Sequence, residues 1–194
     1  MKKGVYFIFF PLLGLVLGAV LASHAIQVAG QNKSLVLRNG EWGYFASMDL
    51  AQNDLQRAFI GRIGLFALQD REAIYFIANQ DNEGKPLEAK NQYLIEGQAF
   101  DAAYWSITLY GEDHFLIPNQ EKRFSYNQVN VQYNDSLKGQ YRIQLGGAKT
   151  MENYLPMRGD QQVNLLLRLY QPSPKVYMNR ESIALPTIKR LRNE

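Results

Sequence analysis

The chain has 194 residues and nearly balanced charge, with 21 Lys and Arg against 18 Asp and Glu and a net charge of +3. Nearly half the residues are apolar, and 12 Tyr, 10 Phe and 2 Trp supply large buried areas, which excludes a disordered chain. Without Lys2 and Lys3 the balance is 19 basic to 18 acidic residues, so there is no concentrated basic face of the kind nucleic acid needs; cysteine is absent, which rules out a disulfide framework and a thiolate metal site.

At the N-terminus, Lys2 and Lys3 precede Gly4 to Ala22, a run of 19 uncharged, mostly apolar residues. At 1.5 Å per residue this run covers about 28 Å, near the ~30 Å thickness of a bilayer core. The expectation is a single anchor within residues 4–26, inserted in a lipid bilayer. No charge follows until Lys33, so the positive-inside rule places the N-terminus in the cytoplasm and the rest in the periplasm or outside. A cleaved signal peptide is a second reading, because Ser23-His24-Ala25 offers small residues around a cleavage point. A buried helix of a soluble protein is a third. The division expected is residues 1–29 as anchor and 30–194 as one extracytoplasmic domain.

Residues Gln27 to Arg38 read as a polar stalk, followed by a short strand over 42–46. Leu55, Phe59, Ile63, Phe66 and Ala67 then recur on one helical face, with Asp49 or Asn53 as N-cap and Arg57 and Arg62 on the other side. Beyond Gln69 the pattern turns to period two. Strands are expected at 72–79, 91–97, 104–110, 114–117, 123–133, 140–145 and 163–170. Turn chemistry separates them at Asp81 to Pro86, Gly111 to Asp113, Pro118-Asn119, Asn134 to Ser136 and Gly146-Gly147. Short links between consecutive strands favour an antiparallel sandwich over a parallel sheet, which needs a helix at each crossover.

Several spaced segments are distinctive: Glu72 to Tyr75 with the turn after it, Tyr104-Trp105-Ser106-Ile107-Thr108-Leu109-Tyr110, Phe115 to Asn119, Arg123-Phe124-Ser125, Asn153-Tyr154-Leu155-Pro156, Leu167 to Pro172, and Pro186 to Arg190. In this order they resemble the domain of unknown function 1214, over roughly residues 55–190. Tyr104, Phe124 and Tyr154 stand where the family more usually has Phe, Tyr and Trp, and Asp135-Ser136 replaces an Asp-Gly turn. The resemblance implies a jelly-roll-like β-sandwich in a bacterial protein, mainly β, with one packed helix. It also implies a companion domain, 1254, whose place the anchor takes here. It implies no general activity.

Strand alternation puts Trp105, Ile107 and Leu109 on one face of 104–110 and Tyr104, Ser106, Thr108 and Tyr110 on the other. In 163–170, Val163, Leu165, Leu167 and Leu169 share a side, opposite Asn164, Leu166, Arg168 and Tyr170. Convergence of the polar sides would make a cleft in which Arg168 among hydroxyls holds a carboxylate or phosphate through its planar fork. The candidate ligand residues are Tyr104, Ser106, Thr108, Tyr110, Arg123, Arg168 and Tyr170. The competing structural role for Arg168 and Arg123 is pairing with a carboxylate or carbonyls to fix strand ends.

Catalysis finds weaker support. Ser106, His114 and Asp113 supply the types for a hydrolase, yet no G-x-S-x-G turn exists. His24 and His114 are isolated, so neither a metal nor any other cofactor is expected. Asp81, Asn82 and Glu83 read as a hairpin turn rather than a Ca²⁺ loop, adjacent Glu112 and Asp113 as solvated loop acids, and Lys189, Arg190 and Arg192 as a solvated tail. The expected protein is a tethered, non-catalytic envelope module that binds a small anionic ligand or another envelope protein. The alternative is a hydrolase-like enzyme using a polar cleft around Ser106, Tyr110 and Arg168.

Overall fold

In the structure, a computed structural model, residues 2–30, 36–45, 54–62, 68–134 and 139–191 are described. Helix α1 (Lys2–Gly30) carries Pro11 in its interior. Its segment Phe7–Val28, 22 residues, is long and apolar enough to cross a membrane. Large apolar side chains along it, from Phe7 to Val28, are exposed to the surroundings rather than packed on the rest of the chain. The helix runs further than the expected anchor, and part of the expected stalk is instead strand β1 (Val36–Asn39), paired with β2 (Trp42–Phe45).

Helix α2 (Asp54–Arg62) has Asp54 in its first turn and Arg62 in its last, both favourable to the helix dipole. The expected caps Asp49 and Asn53, and Ile63, Phe66 and Ala67 of the expected face, lie outside the described residues, as do Ala46, Asp135, Ser136 and Arg192. The strands that follow are β3 (Ala73–Ala78), β4 (Gln92–Gln98), β5 (Ala102–Gly111), β6 (Ser125–Asn127), β7 (Gln140–Leu145), β8 (Tyr154–Leu155), β9 (Val163–Pro172) and β10 (Thr187–Leu191), with the short helix α3 (Pro174–Met178) and a 3-10 turn at Arg180–Ser182 before β10.

Among the described residues these strands form a six-stranded sheet, β1-β2-β3-β9-β5-β6, and a four-stranded sheet, β10-β4-β7-β8. All pairings are antiparallel except β7 with β8, which is parallel. Inward side chains of both sheets share one core, including Phe76, Trp105, Ile107, Leu165 and Leu167 from the first and Tyr93, Ile95, Tyr141, Ile143 and Ile188 from the second. The expected inward sets of β5 and β9 are the buried ones. β3 and β9 are also buried on their outer faces, because Ile60 of α2 closes a second cluster with Ala73, Tyr75 and Leu166.

Two expected strands are corrected. Residues 114–117 form a tight turn with a single bridge, Tyr110 to Leu116, since Asp113 Oδ1 accepts the Phe115 N–H at 3.0 Å and His114 takes φ 64°. Strand pairing over 123–133 is confined to β6. Asn127 Oδ1 accepts the N–H groups of Val129 and Asn130, and Asn130 Oδ1 accepts that of Asn127, so the chain turns instead of extending. The Asp81 turn forms as expected: its Oδ1 accepts the N–H groups of Glu83 and Lys85 at 3.0 and 2.9 Å.

Candidate functional site

The outer face of the six-stranded sheet is laid out by register. Arg168 of β9 stands between Tyr75 of β3 and Ser106 of β5, and Tyr170 stands between Ala73 and Tyr104. Thr108 lies opposite Leu166 on one side and Ser125 on the other. Because strand side chains alternate, these residues share a face, and the polar sides of β5 and β9 converge.

Arg168 leans along β5 from its register partner. Its Nη1 donates to Thr108 Oγ1 at 3.1 Å and its Nη2 to Tyr110 Oη at 2.8 Å, with the guanidinium carbon 5.6 Å from the Tyr110 ring centre. The rings of Tyr104 and Tyr170 lie 5.9 Å apart beside it. Tyr110 and Tyr170 also pack against the apolar cluster that Ile60, Tyr75 and Leu166 form, so the site has an apolar floor and a polar rim. Arg168 is half-buried and Thr108 buried.

Among the described residues no carboxylate forms an ion pair with Arg168. A guanidinium has five N–H donors, and the two side-chain bonds occupy two. Thr108 and Tyr110 accept from Arg168, which leaves their own hydroxyl hydrogens to donate. Burial pushes the Tyr75 phenol above its ordinary value, Tyr170 adds to the rise and Arg168 opposes it, so Tyr75 is a protonated donor at neutral pH. A convergent set of donors around one uncompensated positive charge is chemically suited to an oxyanion.

The remaining predicted residues fall elsewhere. Arg123 is held in a loop by Asn119, whose Oδ1 accepts its N–H at 3.0 Å, and its guanidinium lies 5.3 Å from the ring centre of Tyr126, a core residue. It does not join Arg168. Ser106 shares the face but has no side-chain hydrogen bond to His114 or Asp113 among the described residues. Those two sit past the far end of β5, roughly 20 Å along the strand at ~3.3 Å per residue.

Sequence reasoning missed Tyr75 and Ile60. The signal for Tyr75 was the continuous apolar run of β3, which marks a strand covered on both faces. Two hollows of about 380 and 240 Å³ lie elsewhere, around Gly97, Gln98, Ala184 and Leu185 and around Phe100, Lys175 and Asn179. Neither includes a predicted site residue. Glu96, at the first hollow, is neutralised by Arg142 at 2.8 Å and Lys189 at 2.6 Å.

No curated protein matches the chain. Among solved structures, the VPA0106 protein from Vibrio parahaemolyticus is similar, with a TM-score of 0.60 at 22% identity, over 88% of this chain and 42% of that one. An uncharacterised protein from Burkholderia cenocepacia gives a TM-score of 0.43 at 14% identity, over 92% of this chain and 44% of that one. The chain therefore spans less than half the length of either, and the first likeness shows a shared fold alone. The profile described as "Protein of unknown function (DUF1214)" matches residues 72–174, from the start of β3 to the start of α3. With more than half its length inside that match, the chain belongs to the DUF1214 family of proteins of unknown function.

Proposed function

We propose that this is a single-pass, non-catalytic protein of the bacterial inner membrane, anchored by α1 with its N-terminus in the cytoplasm. Its jelly-roll-like sandwich lies in the periplasm and binds a small anion at Arg168. The observation that carries the reading is a half-buried guanidinium held by two hydroxyls and lacking a carboxylate partner among the described residues. A structural arginine of this burial ordinarily has a carboxylate to offset its charge. Support for the anchor is the exposed apolar surface of Phe7–Val28, which water would not tolerate.

The hydrolase alternative has no comparable support. Among the described residues Ser106 has no hydrogen bond to a base that could activate it.

The test uses the full chain in maltoside micelles, titrated with inorganic phosphate and with acetate while thermal unfolding is followed. Saturable stabilisation is expected in the wild type and in Ser106→Ala, and a loss of at least tenfold in apparent affinity in Arg168→Gln. A wild type indifferent to both anions sinks the binding reading. A C-terminal reporter active inside the cell sinks the topology.

A further inference from the structure

We infer that the anion Arg168 takes is the phosphate of a phospholipid headgroup in the bilayer that α1 crosses, which makes the outer sheet face a lipid-docking surface. The inference rests on the anion-binding reading above and adds the identity of the ligand. It comes from where α2 sits.

Ile60 of α2 is buried in the cluster with Tyr75 and Leu166, the same cluster that Tyr110 and Tyr170 pack against. Two residues later, Arg62 Nη1 lies 3.4 Å from Ser23 Oγ on α1. At 1.5 Å per residue the two contacts are about 3 Å apart along α2. One short helix therefore touches both the floor of the Arg168 site and the anchor.

The depth of that contact follows from α1. Ser23 directly follows the uncharged run Gly4–Ala22, whose 19 residues cover about 28 Å, close to the ~30 Å hydrocarbon core. Arg62 thus meets α1 where that run passes from hydrocarbon to headgroups. Ala25 and Ile26, just past Ser23 on α1, are half-buried. The face bearing Arg168 consequently abuts the layer in which lipid phosphates lie.

Its chemistry matches that layer. The half-buried Tyr104, Tyr110 and Tyr170 combine apolar rings with hydroxyls, the composition that partitions to a membrane interface. Arg57 and Arg62 are exposed on α2 and add attraction for an anionic surface. Arg168 differs from them in being preorganised by Thr108 and Tyr110, and its planar fork fits two phosphate oxygens.

The experiment follows thermal unfolding of the full chain in maltoside micelles with dioleoylphosphatidylglycerol, with dioleoylglycerol, which has the same tails and no phosphate, or with inorganic phosphate. Saturable stabilisation by phosphatidylglycerol is expected, none by dioleoylglycerol, and an affinity for free phosphate at least tenfold weaker. Arg168→Gln should lower the lipid affinity at least tenfold. Arg168→Lys, which keeps charge without the fork, should fall between, and Tyr110→Phe provides a second variant should Arg168→Gln fail to fold. Arg57→Gln with Arg62→Gln should lower the affinity less than threefold. Equal effects of the two lipids, or an Arg168→Gln protein that responds like the wild type, overturn the lipid inference. Free phosphate matching the lipid overturns it too and leaves the anion-binding reading standing. Indifference to lipid and phosphate together overturns both.

Discussion

Trp105 of β5 and Tyr141 of β7 stack across the two sheets with ring centres 5.0 Å apart and planes 24° from parallel. The hydroxyl end of that stack is buried, and Tyr141 Oη has no hydrogen-bond partner among the described residues. It lies over Gly97, where an added Cβ would meet it at 2.6 Å. A buried hydroxyl without a partner costs ~1–3 kcal/mol, so Tyr141→Phe is expected to keep the stack and to leave the melting temperature unchanged or higher. Gly97→Ala is expected to destabilise by ~1–3 kcal/mol through overpacking. Thermal unfolding of the two variants checks both, and a clear drop for Tyr141→Phe means that the oxygen has a partner.

A buried ion pair helps to fasten the C-terminal region. Arg180, in the 3-10 turn, pairs with Asp70 ahead of β3, and both are buried. Arg180 Nη1 also donates to the Phe45 carbonyl at 2.8 Å, while Asn39 Nδ2 donates to the Ile183 carbonyl at 2.9 Å. Removing one charge leaves the other buried and uncompensated, so Asp70→Asn or Arg180→Ala should each cost ~3–5 kcal/mol. Chemical denaturation measures this. Costs under ~1 kcal/mol would show that water reaches the pair.

On the four-stranded sheet, the hydrogen bond from Lys189 holds the Glu96 carboxyl below its ordinary 4.5; burial opposes this, and the charges of Lys189 and Arg142 reinforce it. The folded value is therefore lower than the unfolded one. The stabilisation is present above the unfolded value and is lost as pH falls through the folded value. Glu96→Gln should lower the melting temperature at pH 7, with the gap to wild type closing in acid. For a partly exposed pair the effect is under ~1 kcal/mol. Parallel melting curves from neutral to acid pH test the sign, and a gap that widens in acid contradicts it.

Asn153 explains one of the family segments. Its Oδ1 accepts the Gln132 N–H at 2.8 Å, and its Nδ2 donates to the carbonyls of Gln132 and Arg142 at 2.7 and 2.8 Å. One buried amide thus joins the loop after β6 to β7. Asn153→Ala should cost ~1–3 kcal/mol, because it strands buried backbone groups. Asn153→Asp loses the two donor bonds and should cost at least as much. A neutral Asn153→Ala in equilibrium unfolding refutes the bridging role.

What could be read from residues alone was what neighbours in sequence decide. The apolar run of α1, the alternation that turns Trp105, Ile107 and Leu109 inward on β5, and the Asp81 turn all follow from local pattern and local hydrogen bonds. Strands with few buried positions were illegible: β1 is almost wholly exposed, β8 has two residues, and β10 buries only Ile188. They exist because a partner strand satisfies their backbone. Conversely, residues 114–117 looked like a strand, and the Asp113 side chain captured the backbone there first.

The tertiary structure alone decided which arginine belongs to the site. Arg123 and Arg168 look equivalent in a linear chain, each beside alternating strand residues. Only the pairing of β9 with both β3 and β5, across separations such as the 60 residues between Thr108 and Arg168, places Arg168 among the hydroxyls and leaves Arg123 over Tyr126. The physical reason is that a side chain's face is set within its own strand, whereas its neighbours on that face are set by the register of other strands, which local periodicity does not encode.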